Sequence, residues 1–271
     1  MDNETKQNDR FKLVTWNCHQ GKNIFIKKLE KIVDRIEAEI YIIQECPNPD
    51  TDPIKKILQD KNLKKVDWQG RENNISGVGI FIKNEFYKEH EIHRIVCEKD
   101  QNGSFFVSCS IDKKLVILGI WIRDGREKNK RKYDYANLFM EYLKKHGDKI
   151  NQNYIVAGDF NIDGRIDDPK NTGEIFQTLY GKGLVSAYVH KSNEKLGFEK
   201  QKTYYNSIKP KYVREPCSHV DFVFADSEKV GSANFEPKDN WIYKNQNQSK
   251  NSNDVFSDHL PLIVEIKLNK D

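Results

Sequence analysis

Apolar residues along this chain gather into short runs, and the way each run ends is as informative as its middle. In Ile155-Val156-Ala157-Gly158-Asp159-Phe160-Asn161 a continuous apolar segment stops at glycine and gives way to polar side chains two positions apart. A short uninterrupted apolar run reads as a buried strand. Side chains of an extended chain repeat every two residues, so this pattern predicts Asp159 and Asn161 on one side and Phe160 turned into the core. The segment FKLVTWNC (11–18) alternates and predicts a strand ending at Asn17, while EIYIIQE (39–45) predicts a buried strand closing on a carboxylate. Between them, Ile26, Leu29, Ile32, Val33 and Ile36 recur at helical spacing within 22–38. Strand, helix and strand in this order predict a layered α/β sandwich.

The pattern continues with a short helix over 52–58 and strands over 77–83, 91–96, 104–111 and 114–121, read as successive antiparallel strands with a tight turn at Asp112-Lys113. Helices are predicted over 133–145 and 173–180, and further strands over 203–205, 219–225 and 260–268. Residues 1–10 are polar and predict a disordered tail; 244–254, dominated by Asn, Gln, Ser and Lys, predicts a mobile loop. No segment reads as a linker or an internal repeat, so 11–271 is expected to form one domain.

Composition sharpens this picture. Hydrophobic residues are 37% of the chain and charged residues 32%, which leaves the core to a few concentrated strands inside a heavily charged shell. The formal net charge of +4 is compatible with nucleic acid and no more than that. Five scattered cysteines without a C-x-x-C pair imply a reducing compartment and no disulfide framework. The first residues carry no apolar signal region, and no run approaches bilayer length. A cytoplasmic protein without a membrane segment is the expectation. Nothing points to a protein partner, and a monomer is expected.

Candidate chemistry lies at the strand ends: Asn17, Glu45, Asp159 with Asn161, Asp221, and Asp258 with His259. Any one of these is an ordinary turn-former or cap. Together they form the residue set that metal-assisted phosphoryl transfer requires. The segments Thr15-Trp16-Asn17, Ile43-Gln44-Glu45, Gly158-Asp159-Phe160-Asn161, His219-Val220-Asp221-Phe222 and Ser257-Asp258-His259-Leu260-Pro261 resemble, in order, the motifs of the endonuclease/exonuclease/phosphatase superfamily, from Phe11 to Leu268. That superfamily includes abasic-site endonucleases, pancreatic-type deoxyribonucleases, neutral sphingomyelinases and inositol polyphosphate 5-phosphatases.

The resemblance implies a four-layered α/β sandwich, with two mixed, mostly antiparallel sheets face to face and helices outside. It implies Mg²⁺ as cofactor, with Mn²⁺ as a substitute, held by Glu45 with Asn17 and Asp258 beside it; one metal or two stays open. It implies that Asp159 orients or deprotonates the attacking water, a general-base task with a typical benefit of ~10²–10⁴-fold. Asn161 would hold a phosphate oxygen or that water. His259 would face the phosphate with Asp221 on its other ring nitrogen, keeping the imidazole charged.

One departure stands out. Where many relatives present Tyr or His, this chain has Trp121, which donates only through its indole N–H. Arg123 on the same face would supply a phosphate contact; the alternative is that Trp121 is core and Arg123 solvated. The run RDGREKNKRK (123–132) holds six Lys/Arg in ten residues, among them Arg126 and Lys130, and reads either as a phosphate-contacting loop or as a solvated one. Trp68, Tyr204, Tyr205 and Trp241 are candidates for stacking on bases, against core or rim positions. The expected function is a nuclease cleaving DNA or RNA. The alternatives are a phosphatase or phosphodiesterase on inositol phosphates, phospholipid headgroups or small nucleotides, and a non-catalytic binding module on the same fold.

Overall fold

The computed structural model describes residues 10–19, 24–70, 76–97, 105–122, 132–164, 172–208, 213–242 and 257–268. The sequence-predicted tail, the basic run with Arg123, Arg126 and Lys130, and the loop over 244–254 lie outside these residues, except for Arg10 and Lys132 at their margins.

The chain opens with β1 (Arg10–Asn17), α1 (Phe25–Arg35) and β2 (Ile40–Cys46). β1 and β2 pair in parallel, which is why a helix must carry the chain back between them. After α2 (Asp52–Asp60), β3 (Leu63–Gly70) and β4 (Gly77–Lys83) extend this sheet past β2. The short α3 (Asn84–Glu89) then takes the chain to the second sheet, built first from β5 (Ile92–Ile95), β6 (Phe105–Ile111) and β7 (Leu115–Trp121). The expectation of one antiparallel run from 77 to 121 is therefore corrected: β4 pairs with β2 and β3, and the antiparallel run in the second sheet starts at β5. The turn between β6 and β7 is at Asp112 and Lys113, both at positive φ as a tight hairpin requires.

A second helical crossover, α4 (Lys132–His146), separates β7 from its parallel partner β8 (Tyr154–Asp159). Then follow α5 (Thr172–Gly181), β9 (Leu184–Ser186), α6 (Ala187–Ser192), the ribbon β10 (Tyr204–Ile208) and β11 (Val213–Ser218), β12 (Asp221–Asp226), β13 (Val230–Phe235) and β14 (Leu262–Lys267). The sheets are six-stranded, in the orders β13-β14-β1-β2-β4-β3 and β5-β6-β7-β8-β12-β9.

Strand alternation sorts the side chains into layers. Leu13, Ile40, Ile42, Val78 and Ile80 of the first sheet meet Val107, Ile117, Ile155, Ala157 and Val223 of the second in one buried core. Their neighbours Val14, Trp16, Tyr41 and Ile43 point outward onto α1 and α2, and Val156, Phe222 and Phe224 point onto α4 and α5. Helix, sheet, sheet and helix thus form the expected four layers. At the open edge, buried Asp67 and half-buried Gln69 of β3 accept the backbone N–H groups of Ser108 and Phe106 across the sheets, and Arg94 donates to Asp67 at 2.6 Å. Gln69 thereby satisfies a β6 donor that lies beyond the last β5–β6 partners, Ile95 and Ser108.

Candidate active site

The same alternation leads to the site. On β1, β8 and β12 the series Leu13-Thr15-Asn17, Ile155-Ala157-Asp159 and Asp221-Val223-Ala225 all face the space between the sheets. Polar members stand at one end of each series, and Asp159 lies opposite Asp221 in the β8/β12 register. Both carboxylates are fully buried, and His259, just before β14, is 4% exposed. Ligand atoms of Asp159, Asp221 and His259 lie within 4.8 Å of one another. His259 Nδ1 is 2.9 Å from one Asp221 oxygen and 3.2 Å from the other.

Gly158 admits β8 to this position. A Cβ there would sit 1.9 Å from the carbonyl oxygen of Ile120 on β7. Only glycine permits that approach, and the next residue is Asp159.

From the first sheet, Asn17 joins two carboxylates: its Nδ2 donates to Asp159 at 2.9 Å and to Glu45 at 3.2 Å. Alternation alone would send Glu45 to the helix side with Tyr41 and Ile43. A bulge between Gln44 and Cys46 changes its aim, and Glu45 adopts a φ of +56°. Such a backbone is uncommon for a glutamate, and here it carries a half-buried carboxylate to Asn17.

Asn161 requires a correction. The extended-chain argument put it on the face of Asp159, but β8 ends at Asp159 and Asn161 is left-handed, with φ of +51°. Asparagine tolerates this region because its short side chain bonds locally. The reversal lets its backbone N–H and its Nδ2 donate to the two Asp159 oxygens at 2.8 and 2.9 Å, and Nδ2 also reaches the Ile122 carbonyl at 2.6 Å. Phe160 between them is buried among Phe139, Phe176 and Phe222, as expected.

Asp258 lies beside the others through the loop before β14. Its carboxylate is 3.0 Å from His19 Nδ1, and the neighbouring Ser257 donates to the Asn17 carbonyl at 2.7 Å. Lys28, a buried lysine of α1, donates to the carbonyls of Cys18 and His19 and so holds the turn after β1. His19 and Lys28 escaped the sequence reading because neither belongs to one of the strand-end motifs; the helical spacing even suggests a solvated position for Lys28. Trp121 pairs in register with Asp159 and is buried in the core between the sheets. Of the aromatic candidates, Tyr205 and Trp241 are core residues, and Tyr204 lies against His259 with ring centroids 5.1 Å apart.

Burial raises the pKa of Asp159, Asp221 adds to it, and the charge of His259 with the Asn17 and Asn161 donors offsets part of the rise; the carboxyl stands at about 7. For His259 burial acts downward, but the carboxylates of Asp221, Asp159 and Asp258 outweigh it and hold the imidazole at about 10. A basic group at Asp159 thus sits beside an imidazolium near neutrality. Glu45, Asp159, Asp221 and Asp258 together exceed the positive charge of His259, and a concentration of buried oxygen donors with excess negative charge suits a hard divalent cation.

The sequence profile described as the Endonuclease/Exonuclease/phosphatase family matches residues 14–259. An AP endonuclease of Archaeoglobus fulgidus superposes with a TM-score of 0.68 at 13% identity, covering 93% of this chain and 98% of that one. A 3'-5' exonuclease of Neisseria meningitidis superposes at 0.66 and 16% identity, covering 94% and 99%. Truncated TDP2 of Caenorhabditis elegans reaches 0.60 at 14% identity, covering 95% and 98%. At these identities the likeness shows the fold. No curated protein sequence matches the chain. Among the described residues no helix is long and apolar enough to cross a membrane.

Proposed function

This chain belongs to the Endonuclease/Exonuclease/phosphatase family, and on that premise we propose that it is a divalent-metal-dependent hydrolase of phosphodiester bonds in nucleic acid. The observation that carries this reading is the convergence of Asp159 and Asp221, on neighbouring strands of one sheet, with His259, Asn17 and Glu45 from the other. A phosphate ester placed between them would meet the base Asp159 and, with a divalent ion held by Glu45, a charge-neutralising cation.

Asp159 takes the proton of the attacking water. Its pKa near neutrality favours that task, because a base works best when its pKa lies close to the working pH. Asn161 uses its amide hydrogens on Asp159 and Ile122, which orients the carboxylate and leaves its carbonyl oxygen to accept from the water. Of the two tasks the resemblance offers Asn161, holding water is therefore favoured over holding a phosphate oxygen. His259, with Nδ1 engaged by Asp221, offers Nε2–H to the phosphoryl oxygens and stabilises the charge that develops there.

Glu45 would hold Mg²⁺ or Mn²⁺, with Asp258 and Asn17 at its side. A bound divalent ion supplies charge neutralisation at the phosphoryl oxygens. Asp221 stays with His259, since a carboxylate bonded to an imidazolium is a poorer ligand than one without that partner.

Nucleic acid is favoured over small esters by the basic run over 123–132, which follows β7 directly. Relatives of the same fold include a Neisseria 3' phosphatase bound to a product DNA hairpin. The test is incubation of the purified chain with plasmid, single-stranded DNA and RNA plus Mg²⁺ or Mn²⁺, with and without EDTA. Metal-dependent cleavage of at least one polymer is expected. Hydrolysis of inositol phosphates or a dinucleotide with every polymer left intact would refute the nucleic-acid assignment, and no hydrolysis at all would favour a binding module.

A further inference from the structure

Asp221 opens β12 of one sheet and His259 precedes β14 of the other, and one short segment joins them. Thr203 N–H donates to the Ser218 carbonyl at 3.0 Å, the Thr203 carbonyl accepts from Leu260 N–H at 3.0 Å, and Tyr205 N–H donates to the Asp258 carbonyl at 2.8 Å. Residues 203–205 thus lie between 218–221 on one side and 258–260 on the other.

The side chain of Thr203 does more than its backbone. It is fully buried, and its Oγ1 accepts the N–H groups of both Val220 and Asp221, at 3.0 and 3.2 Å. The reason lies in the strand order. β9 pairs with Phe224 to Asp226 and stops short of Asp221. The start of β12 therefore lacks a strand neighbour on that side, and the hydroxyl stands where the neighbour's carbonyl would be. On the other side the Val220 carbonyl accepts from Phe160 N–H at 2.9 Å, which ties the same peptide to the residue between Asp159 and Asn161.

We propose that Thr203 is a positioning residue for the Asp221–His259 pair, acting through the backbone of Asp221. This rests on the reading above, in which that pair serves the hydrolysis. Without the hydroxyl, two buried N–H groups lose their acceptor, and an unmet buried donor is costly enough to shift the backbone in search of another partner. Asp221 is fixed at its Cα by those two bonds, so its carboxylate moves with them, and the 2.9 Å bond to His259 Nδ1 lengthens. A threonine just before two tyrosines reads from sequence as a β-former, which is why its role was invisible there.

The experiment compares Thr203→Val, which keeps the shape and removes the acceptor, with Thr203→Ser, which keeps the acceptor. The substrate is the polymer that the wild-type chain cleaves fastest. Removing a supporting hydrogen bond of this kind typically costs ~10–100-fold, and that loss is expected in kcat for Thr203→Val with KM changed less than about twofold. Thr203→Ser is expected to restore most of the rate. Proton NMR supplies a readout that does not need turnover. The far-downfield Nδ1–H signal of His259, identified by its loss in His259→Gln, is expected in wild type and Thr203→Ser and displaced or lost in Thr203→Val. Wild-type kcat and an undisplaced signal in Thr203→Val overturn the proposal. If Thr203→Val does not fold, amide exchange in the wild-type protein decides: strong protection at Val220 and Asp221 supports the bonds, and rapid exchange at both overturns them. Failure of the functional reading looks different. In that case His259→Ala keeps its turnover, or wild type cleaves no ester, while the NMR comparison still decides what Thr203 does.

Discussion

Replacing Gly158 with alanine tests the link between strand packing and chemistry most directly. The added Cβ would lie 1.9 Å from the Ile120 carbonyl oxygen, 2.8 Å from its carbon and 2.9 Å from Ile120 Cγ1. Relief to an ordinary contact needs a movement of about 1.5 Å, and the obstacle is backbone, which cannot rotate aside. The φ of +154° adds strain for any residue with a side chain. Overpacking costs about 1–3 kcal/mol and an unfavourable backbone about the same, so a loss of roughly 2–6 kcal/mol is expected. Set against a total stability of about 5–15 kcal/mol, that is a large fraction, yet the variant should still fold at low temperature. The next residue is Asp159, and a displacement of about 1 Å at a catalytic group costs on the order of 10²-fold in rate. Urea unfolding would measure the first effect and turnover on a cleaved polymer the second. A variant within about 1 kcal/mol of wild type and with normal turnover would refute the reasoning, because β8 would then not need its close approach to β7.

Five further outcomes are expected. Asp159→Ala and His259→Ala should each lose several orders of magnitude in kcat with circular dichroism unchanged; near-wild-type turnover in either contradicts its assigned role. EDTA should abolish cleavage and added Mg²⁺ restore it, and Glu45→Gln should raise the Mg²⁺ concentration needed for half-maximal rate by at least about tenfold; an unchanged metal titration would remove Glu45 from the metal site. Turnover should rise as Asp159 ionises near pH 7 and fall only as His259 deprotonates near pH 10, with the lower limb moved down by a bound cation. In metal-free protein the signs differ by group. His259, raised above 6.5, contributes stability that is full below about pH 6.5 and lost as pH passes about 10, whereas Asp159, raised above 3.8, makes the fold less stable as pH climbs to about 7. Urea midpoints of wild type and His259→Gln across pH would check both. Asp67→Ala, far from the site, should cost about 2–4 kcal/mol by stranding the Ser108 and Trp68 N–H groups, with turnover per folded molecule unchanged.

Much of the architecture was written locally. Alternation in 11–18 and 155–159 and the helical spacing of Leu29, Ile32 and Val33 reflect periods of two and 3.6 that a side chain cannot escape within a regular element. Since those periods also assign faces, Asn17, Asp159 and Asp221 could be placed at strand ends from the sequence. The edge elements were illegible for the opposite reason. β3, with Lys64, Lys65 and Asp67 among its residues, and β13, with Gly231, Ser232 and Asn234, are strands because a neighbouring strand supplies their hydrogen bonds, and their own residues carry little apolar signal.

What only tertiary structure decided is where local rules are broken. Glu45 reaches Asn17 because the pairing of Gln44 with Val78 and Cys46 with Gly77 leaves it as the extra residue of a bulge. Asn161 meets Asp159 because a left-handed turn folds it back, and Thr203 supports Asp221 because β9 ends too early to do so. Each depends on a partner far along the chain. The sequence by itself determined which residues were available at strand ends and which face most of them take, since that follows from backbone periodicity. Their aim at a common point is a property of the packed sheets, because a bulge, a left-handed residue and a missing strand neighbour are defined only once the strands have paired.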